Sequence, residues 1–317
     1  MNAASPAPAS SPLSALPPQK IRDLPKAFLL EQLESYYRAT PPPEIVECDY
    51  SLWQCPETAL QFAWPPRAGS TAFYKWVSRF SSYYPGLRWE YGKVRELLAE
   101  EKIADEQFLL LDAGCGKGDF LRSLDLISAD KKFALDLNAP AIEECKRLGF
   151  QAFCGTIEDA IAGLFLKPKQ FPAVTAFHCL EHVEDVVRFA RSLATVTAPG
   201  GKIFISTPYS PMSFEDDWFD ILNHPPHHMT RWNLDAYQKL AGILGVKMRY
   251  FTPPSGAFQR ALNVFRLKRY GPNRRAGKAR LVKDLLWHFP EFIRYYQKQK
   301  RRAPVAADVI LVEFTVP

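Results

Sequence analysis

Five of the six histidines fall in two short stretches. Histidine is the side chain most readily tuned to move a proton near neutral pH. The first stretch, AFHCLEHVEDV, holds His178 and His182 with Glu181 between them. The second, ILNHPPHHMTRW, holds His224, His227 and His228 around Pro225 and Pro226. Either could supply a general base or orient a substrate. The alternative, that these imidazoles only hydrogen-bond their own loops, stays open. No metal site is expected: paired zinc histidines use helical spacing, and two prolines forbid a helix there. The prolines instead predict a stiff, extended loop aiming imidazoles at a pocket, with Asp216, Asp217, Trp218 and Arg231 along the same cleft.

A second chemistry is written in residues 108–121, FLLLDAGCGKGDFL. Residues 108–111 read as a buried strand ended by Asp112, and Phe120, Leu121 and Leu124 begin a helical pattern. Gly114, Gly116 and Gly118 lie between. A strand running through glycines into a helix puts bare backbone at the carboxyl edge of a parallel sheet, where such sheets bind ligands. The dinucleotide fingerprint would place its third glycine where Asp119 stands, and a carboxylate there opposes a pyrophosphate. That disfavours a nicotinamide dehydrogenase. A second strand, 132–137, carries Asp136, placed to accept ribose hydroxyls. The ligand so described is a nucleoside with a phosphate-free tail.

The pattern acid-x-Gly-x-Gly-x-Gly followed by Asp136 resembles the first two motifs of class I S-adenosylmethionine-dependent methyltransferases. AFHCLEHVEDV is similar to the FHVLEHV-type motif, and PPHHMTRW to the PPHHLTRW segment, of a subfamily often acting on small molecules and glycans. The resemblance implies an α/β, Rossmann-like sheet of seven mostly parallel strands with helices on both faces. The last strand would be antiparallel, between the fifth and sixth. S-adenosylmethionine is the implied cofactor. Asp112, Gly114, Cys115, Gly116 and Gly118 would cradle its methionine part, and Asp136 and Leu137 its ribose side. Thr156 and Ile157 would meet the adenine, although Asp is commoner at position 156. His178 and Cys179 would lie beside the methyl group, with Leu180 on the adenine. His178, His182, His227 and His228 are the candidates for proton removal. The implied acceptor is a small molecule, methylated on oxygen or nitrogen: a sugar, a nucleotide-linked compound or a natural product, anionic if the basic segment described below faces it. A nucleic-acid methyltransferase and a non-catalytic cofactor-binding scaffold remain as other readings. Against the former, the fourth strand lacks the Asn/Asp-Pro-Pro-aromatic tetrapeptide and the Pro-Cys nucleophile.

The elements that must position these residues follow from the rest of the chain. Its 317 residues are 47% hydrophobic, enough for a sizeable core. Residues 1–20 are rich in Pro, Ala and Ser and are expected to be disordered. They lack the basic and apolar regions of a signal peptide. With six cysteines in no paired spacing and no membrane-length apolar run, the expected location is cytoplasmic. Residues 21–100 form an N-terminal extension of helices around a degenerate, ribbon-like segment at Cys48 and Cys55, read as a β-hairpin. Tyr83, Tyr84 and Arg88 are candidates to close over the cofactor. Residues 101–317 alternate strand and helix as the main domain. Within it, residues 257–304 form a basic helical insertion of two amphipathic helices. Between Arg260 and Arg302 there are 14 Lys and Arg against 2 Asp and Glu, a local +12 in a chain of net +6. Such a surface suits nucleic acid or an anionic membrane, but solvated helix faces are the favoured reading. Oligomeric state is left open.

Overall fold

The computed structural model describes residues 6–80, 88–100, 108–272, 277–302 and 307–317. Residues 1–5, and the lid candidates Tyr83 and Tyr84, lie outside the described residues. In chain order the elements are β1 (Gln19–Leu24), α1 (Lys26–Tyr37), β2 (Tyr50–Gln54), β3 (Gln61–Trp64), α2 (Thr71–Val77), α3 (Trp89–Glu100), β4 (Leu110–Ala113), α4 (Asp119–Arg122), β5 (Lys132–Asp136), α5 (Ala139–Arg147), β6 (Gln151–Cys154), α6 (Ile157–Ala162), β7 (Phe171–Phe177) and α7 (Val186–Val196). They continue with β8 (Thr197–Pro208), β9 (Thr230–Arg231), α8 (Leu234–Leu244), β10 (Lys247–Phe251), α9 (Ala257–Tyr270), α10 (Lys278–Trp287), α11 (Phe289–Arg301) and β11 (Val309–Thr315).

Side chains alternate across a strand, so a strand apolar at every position must be covered on both faces. Leu111, Ala113, Val174, Ala176, Ile203, Ile205, Ile310 and Val312 fill one core layer. Their neighbours Leu110, Ala173, Phe177, Phe204 and Leu311 fill the opposite one. The seven strands run in the order β10-β11-β8-β7-β4-β5-β6. Only β11 is antiparallel to its neighbours, and it lies between β8 and β10, as the resemblance implies. Crossovers through α5, α6 and α7 are stopped locally; Thr156 opens α6 with a reciprocal capping box to Asp159.

The N-terminal extension differs from its expectation in two ways. Residues 6–18 are not a free tail: Leu13 is buried in the main core, and Trp64 Nε1 donates to Pro6 O at 2.6 Å. A Pro/Ala/Ser average hides the one leucine whose burial anchors the segment. The hairpin β2–β3 is present, but it is the centre of a four-stranded antiparallel sheet, β1-β2-β3-β9. Its last strand begins two residues after His228, so the extension grips the histidine loop. Cys55 is buried in the main core and Cys48 is half-buried. Neither belongs to a cluster of metal-ligating side chains among the described residues.

The basic insertion comprises three helices, α9, α10 and α11, around Val264, Phe265, Leu281, Phe292 and Tyr295. His288 and Pro290 divide the region expected as a single second helix. Part of its charge is spent internally. Lys298 and Arg302 pair with Asp216 at 3.5 and 2.6 Å, and Lys298 with Asp217 at 2.7 Å. Arg260 is buried and donates to Gln299 and to the Ser255 carbonyl. Among the described residues, no helix is long and apolar enough to cross a membrane.

Candidate functional site

The glycine turn leaves β4 at the carboxyl edge of the sheet. Gly114, Gly116 and Gly118 have φ of 75°, 53° and 77°, the left-handed region that side chains resist. A Cβ at Gly114 would overlap Cys179 Sγ, and one at Gly118 would press on Phe150 and Cys145. The amides of Gly114 and Cys115 donate to Leu135 O at 2.7 and 3.0 Å, and that of Gly116 to Asp136 Oδ2 at 2.8 Å. The turn is thus strapped to the next strand. Cys115 itself is buried, its Sγ 3.8 Å from that of Cys145. Cys179 Sγ lies 3.3 Å from Ala113 O, and burial pushes its thiol well above the usual range.

Two carboxylates meet at this edge. Asp112 is buried and accepts from Thr175 Oγ1 at 2.7 Å. Burial pushes it up to about 7 despite that hydrogen bond, and the nearby Asp136 adds to the effect. Asp136 accepts one amide on each oxygen, from Gly116 and Asn138, both at 2.8 Å. A carboxylate has about four lone-pair positions, so capacity for two hydroxyl donors remains. Beside it Leu137 is 74% exposed, a large apolar side chain on an open rim. This cradle, with no room for a Cβ, a carboxylate with acceptor capacity and an apolar platform, fits the adenosine and methionine parts of S-adenosylmethionine. Thr156 has its hydroxyl committed to Asp159, donating to Oδ2 at 2.7 Å while accepting from the Asp159 amide. Ile157 and Leu180 are fully packed in the main core.

The histidines separate into three environments. His178 follows β7 with φ 51°, rare for a side-chain-bearing residue and a mark of an imposed conformation. Its Nε2 meets Glu90 of α3 at 2.6 Å and its Nδ1 meets Glu181 at 3.2 Å. Burial opposes its charge, but the hydrogen bonds to Glu181 and Glu90 outweigh this and raise it above the ordinary histidine value. His224 stacks on Phe219 with ring centres 4.1 Å apart and donates from Nδ1 to Asp220 O.

His182, His227 and His228 meet face to edge and face to face, with ring centres 4.5, 4.7 and 4.6 Å apart. Burial lowers all three below the ordinary histidine value and keeps them neutral. The proline argument against convergence therefore fails in this fold. Instead of an extended loop, residues 224–228 close a turn in which the amides of His227 and His228 both donate to His224 O. The third imidazole then comes from the strand-end loop after β7, where Met229 and Thr230 donate to Glu181 O. The extension completes the support: Ala63 donates to Met229 O, Gly69 to Pro226 O, and buried Arg231 pairs with Glu215 and Gln61. Asp216 and Asp217 are turned to the basic helices, and Trp218 packs near Phe214 and Tyr36.

Sequence reasoning missed Glu90, which reaches His178 from 88 positions away. It also missed Asn223, whose Oδ1 accepts from His228 Nδ1 at 3.0 Å. Glu181 did carry a signal, standing between two histidines at a strand end.

The family described as a methyltransferase domain matches residues 87–249. The chain is similar to the ubiquinone biosynthesis O-methyltransferase of Xanthomonas euvesicatoria pv. vesicatoria, 34% identical over 128 residues, which are 38% of this chain and 48% of that protein. It is also similar to the protein of that name from Ralstonia nicotianae, 33% identical over 101 residues, 31% of this chain and 42% of that protein. The chain thus spans about half the length of these curated relatives. Among solved structures it is similar to a SAM dependent methyltransferase from Archaeoglobus fulgidus, 14% identical with a TM-score of 0.46, covering 71% of this chain and 94% of that one.

Proposed function

The chain belongs to the methyltransferase-domain family; from that premise we propose that it is an S-adenosylmethionine-dependent enzyme that methylates a hydroxyl oxygen of a small-molecule acceptor. The observation that carries the reading is the glycine cradle strapped to Asp136 at the sheet edge. Asp112, Gly114, Gly116 and Gly118 would hold the methionine part of the cofactor, and Asp136 with Leu137 the ribose side. Thr156 would approach the adenine through backbone, since its hydroxyl is committed. When bound, the cofactor supplies an activated, electrophilic methyl group. The chain's remaining task is to orient an acceptor and ease removal of its proton.

His178 is committed to Glu90 and Glu181 and acts as a positioning residue, tying α3 to the end of β7. Proton removal falls to the neutral cluster of His182, His227 and His228, with Cys179 beside the glycine turn. Oxygen, rather than nitrogen, is supported by the curated relatives, both named as O-methyltransferases of ubiquinone biosynthesis. A hydroxylated aromatic ring is accordingly the first acceptor class to test.

The test is a panel of hydroxylated aromatic, sugar and amine acceptors, each incubated with the chain and S-adenosylmethionine, with S-adenosylhomocysteine and methylated product read by mass spectrometry. Product on a hydroxyl acceptor, lost in Asp136→Ala, is expected. S-adenosylhomocysteine binding accompanied by product only on amines would overturn the oxygen assignment.

A further inference from the structure

We infer that His182, His227 and His228 form a binding site for one divalent transition-metal ion of borderline character, such as zinc or cobalt(II). One ring nitrogen of each lies within 4.8 Å of those of the other two. Each Nδ1–H is directed to a fixed carbonyl oxygen: His182 to His227 O at 2.7 Å, His227 to Leu222 O at 2.8 Å, and His228 to Asn223 Oδ1 at 3.0 Å. Because a carbonyl only accepts, these bonds put the proton on Nδ1 and the lone pair on Nε2. An imidazole that commits one N–H to a carbonyl and carries its lone pair on the other nitrogen is the form that ligates metals. Loop-holding alone would account for the Nδ1 bonds. It would not account for three rings gathered with centres 4.5 to 4.7 Å apart, two of them stacked and the third edge-on.

A second observation points the same way. Glu181, directly preceding His182, is 1% exposed. Its Oε1 meets His178, but its Oε2 has no hydrogen-bond partner among the described residues. His178 balances the other oxygen, but among the described residues no cation reaches Oε2, and a buried carboxylate oxygen left so is costly. Nitrogen ligands select borderline first-row ions over magnesium or calcium, which take oxygen. A tetrahedral site with metal–nitrogen bonds of about 2.1 Å sets its nitrogens roughly 3.4 Å apart, so the rings would draw in by up to about 1.4 Å. Three protein ligands leave a position open. On the reading above an acceptor oxygen would take it, and the ion, by lowering that oxygen's pKa, would ease loss of its proton in place of a free imidazole; the site stands apart from that reading because its test needs no turnover.

The 317-residue chain, stripped with a chelator and dialysed, is titrated with zinc chloride by calorimetry and with cobalt(II) followed by visible absorption. One ion per chain is expected, with micromolar or tighter affinity and the intense visible bands of a four- or five-coordinate cobalt site. His182→Ala and His228→Ala should each weaken binding at least tenfold, whereas His224→Phe, in the same loop but outside the trio, should leave it unchanged. The wild-type titration decides if a variant fails to fold. No saturable binding there, or undiminished binding in a folded His182→Ala/His228→Ala double variant, overturns the site.

Discussion

At Gly114 two constraints coincide, a left-handed φ and a thiol where a Cβ would go. The conformational part alone costs a non-glycine residue roughly 1–2 kcal/mol. Gly114→Ala is therefore expected to lower the melting temperature and weaken S-adenosylhomocysteine binding more than tenfold by calorimetry. The double variant with Cys179→Ala should recover only part of this, since it removes the overlap and leaves the strain. Asp136→Ala deletes hydrogen bonds to a charged group, worth about 1.5–3 kcal/mol, so S-adenosylhomocysteine affinity should fall by roughly ten- to hundredfold. Unchanged affinity would count against the ribose assignment. Asp112 gives a pH signature. Its folded value of about 7 stands above the ordinary 3.8, so the folded state holds a proton that the unfolded chain has released. Its contribution is complete below pH 4 and is lost as pH rises toward 7, at up to about 1.4 kcal/mol per pH unit. His224, which burial lowers to about 3, works in the opposite sense and destabilises the fold as pH falls below 6.5. Comparing urea midpoints of wild type and Asp112→Asn across pH 4–8 isolates the first effect; the wild type should lose stability relative to the variant as pH rises.

Among the elements, the short strand β9 carries more than its two residues suggest. It joins the extension's hairpin to the histidine turn through Phe62, Gln61 and Arg231. Arg231→Ala strands Glu215 without its cation in a largely buried position. Breaking such a pair costs about 3–5 kcal/mol. Loss of hydrogen-exchange protection in both β3 and residues 224–231 is expected, while β4 and β5 keep theirs. The strands of the main sheet were legible because their signals are local: continuous apolar runs, glycines after β4, Asn233 before α8. β1 was not, since QKIRDL is exposed at five of its six positions and gains strand geometry only by pairing with β2. The cradle and Asp136 were readable for the same reason of locality. The Glu90–His178 contact and the meeting of three imidazoles were not, because each joins segments that only the folded chain brings together.

For the molecule as a whole, charge is less available than the +12 of the basic stretch implies. Lys298 and Arg302 are held by Asp216 and Asp217, and Arg260 is inside. What remains outward is spread over three helices, from Arg266 on α9 to Lys283 on α10 and Arg294 on α11. Association with duplex DNA or RNA should therefore be weak and should vanish between about 50 and 200 mM salt. Tight binding in a filter assay at the higher salt would revive the nucleic-acid reading.

The placement of β11 has a consequence for how the chain is made. It bridges β8 and β10, with β10 pairing only to it in that sheet. During vectorial synthesis the glycine cradle, β5 and β7 can assemble as they emerge, but β10 has no strand to pair with until residues 309–315 leave the ribosome. A nascent intermediate with an open edge at β8 must then persist while the basic helices are translated, and such edges invite aggregation.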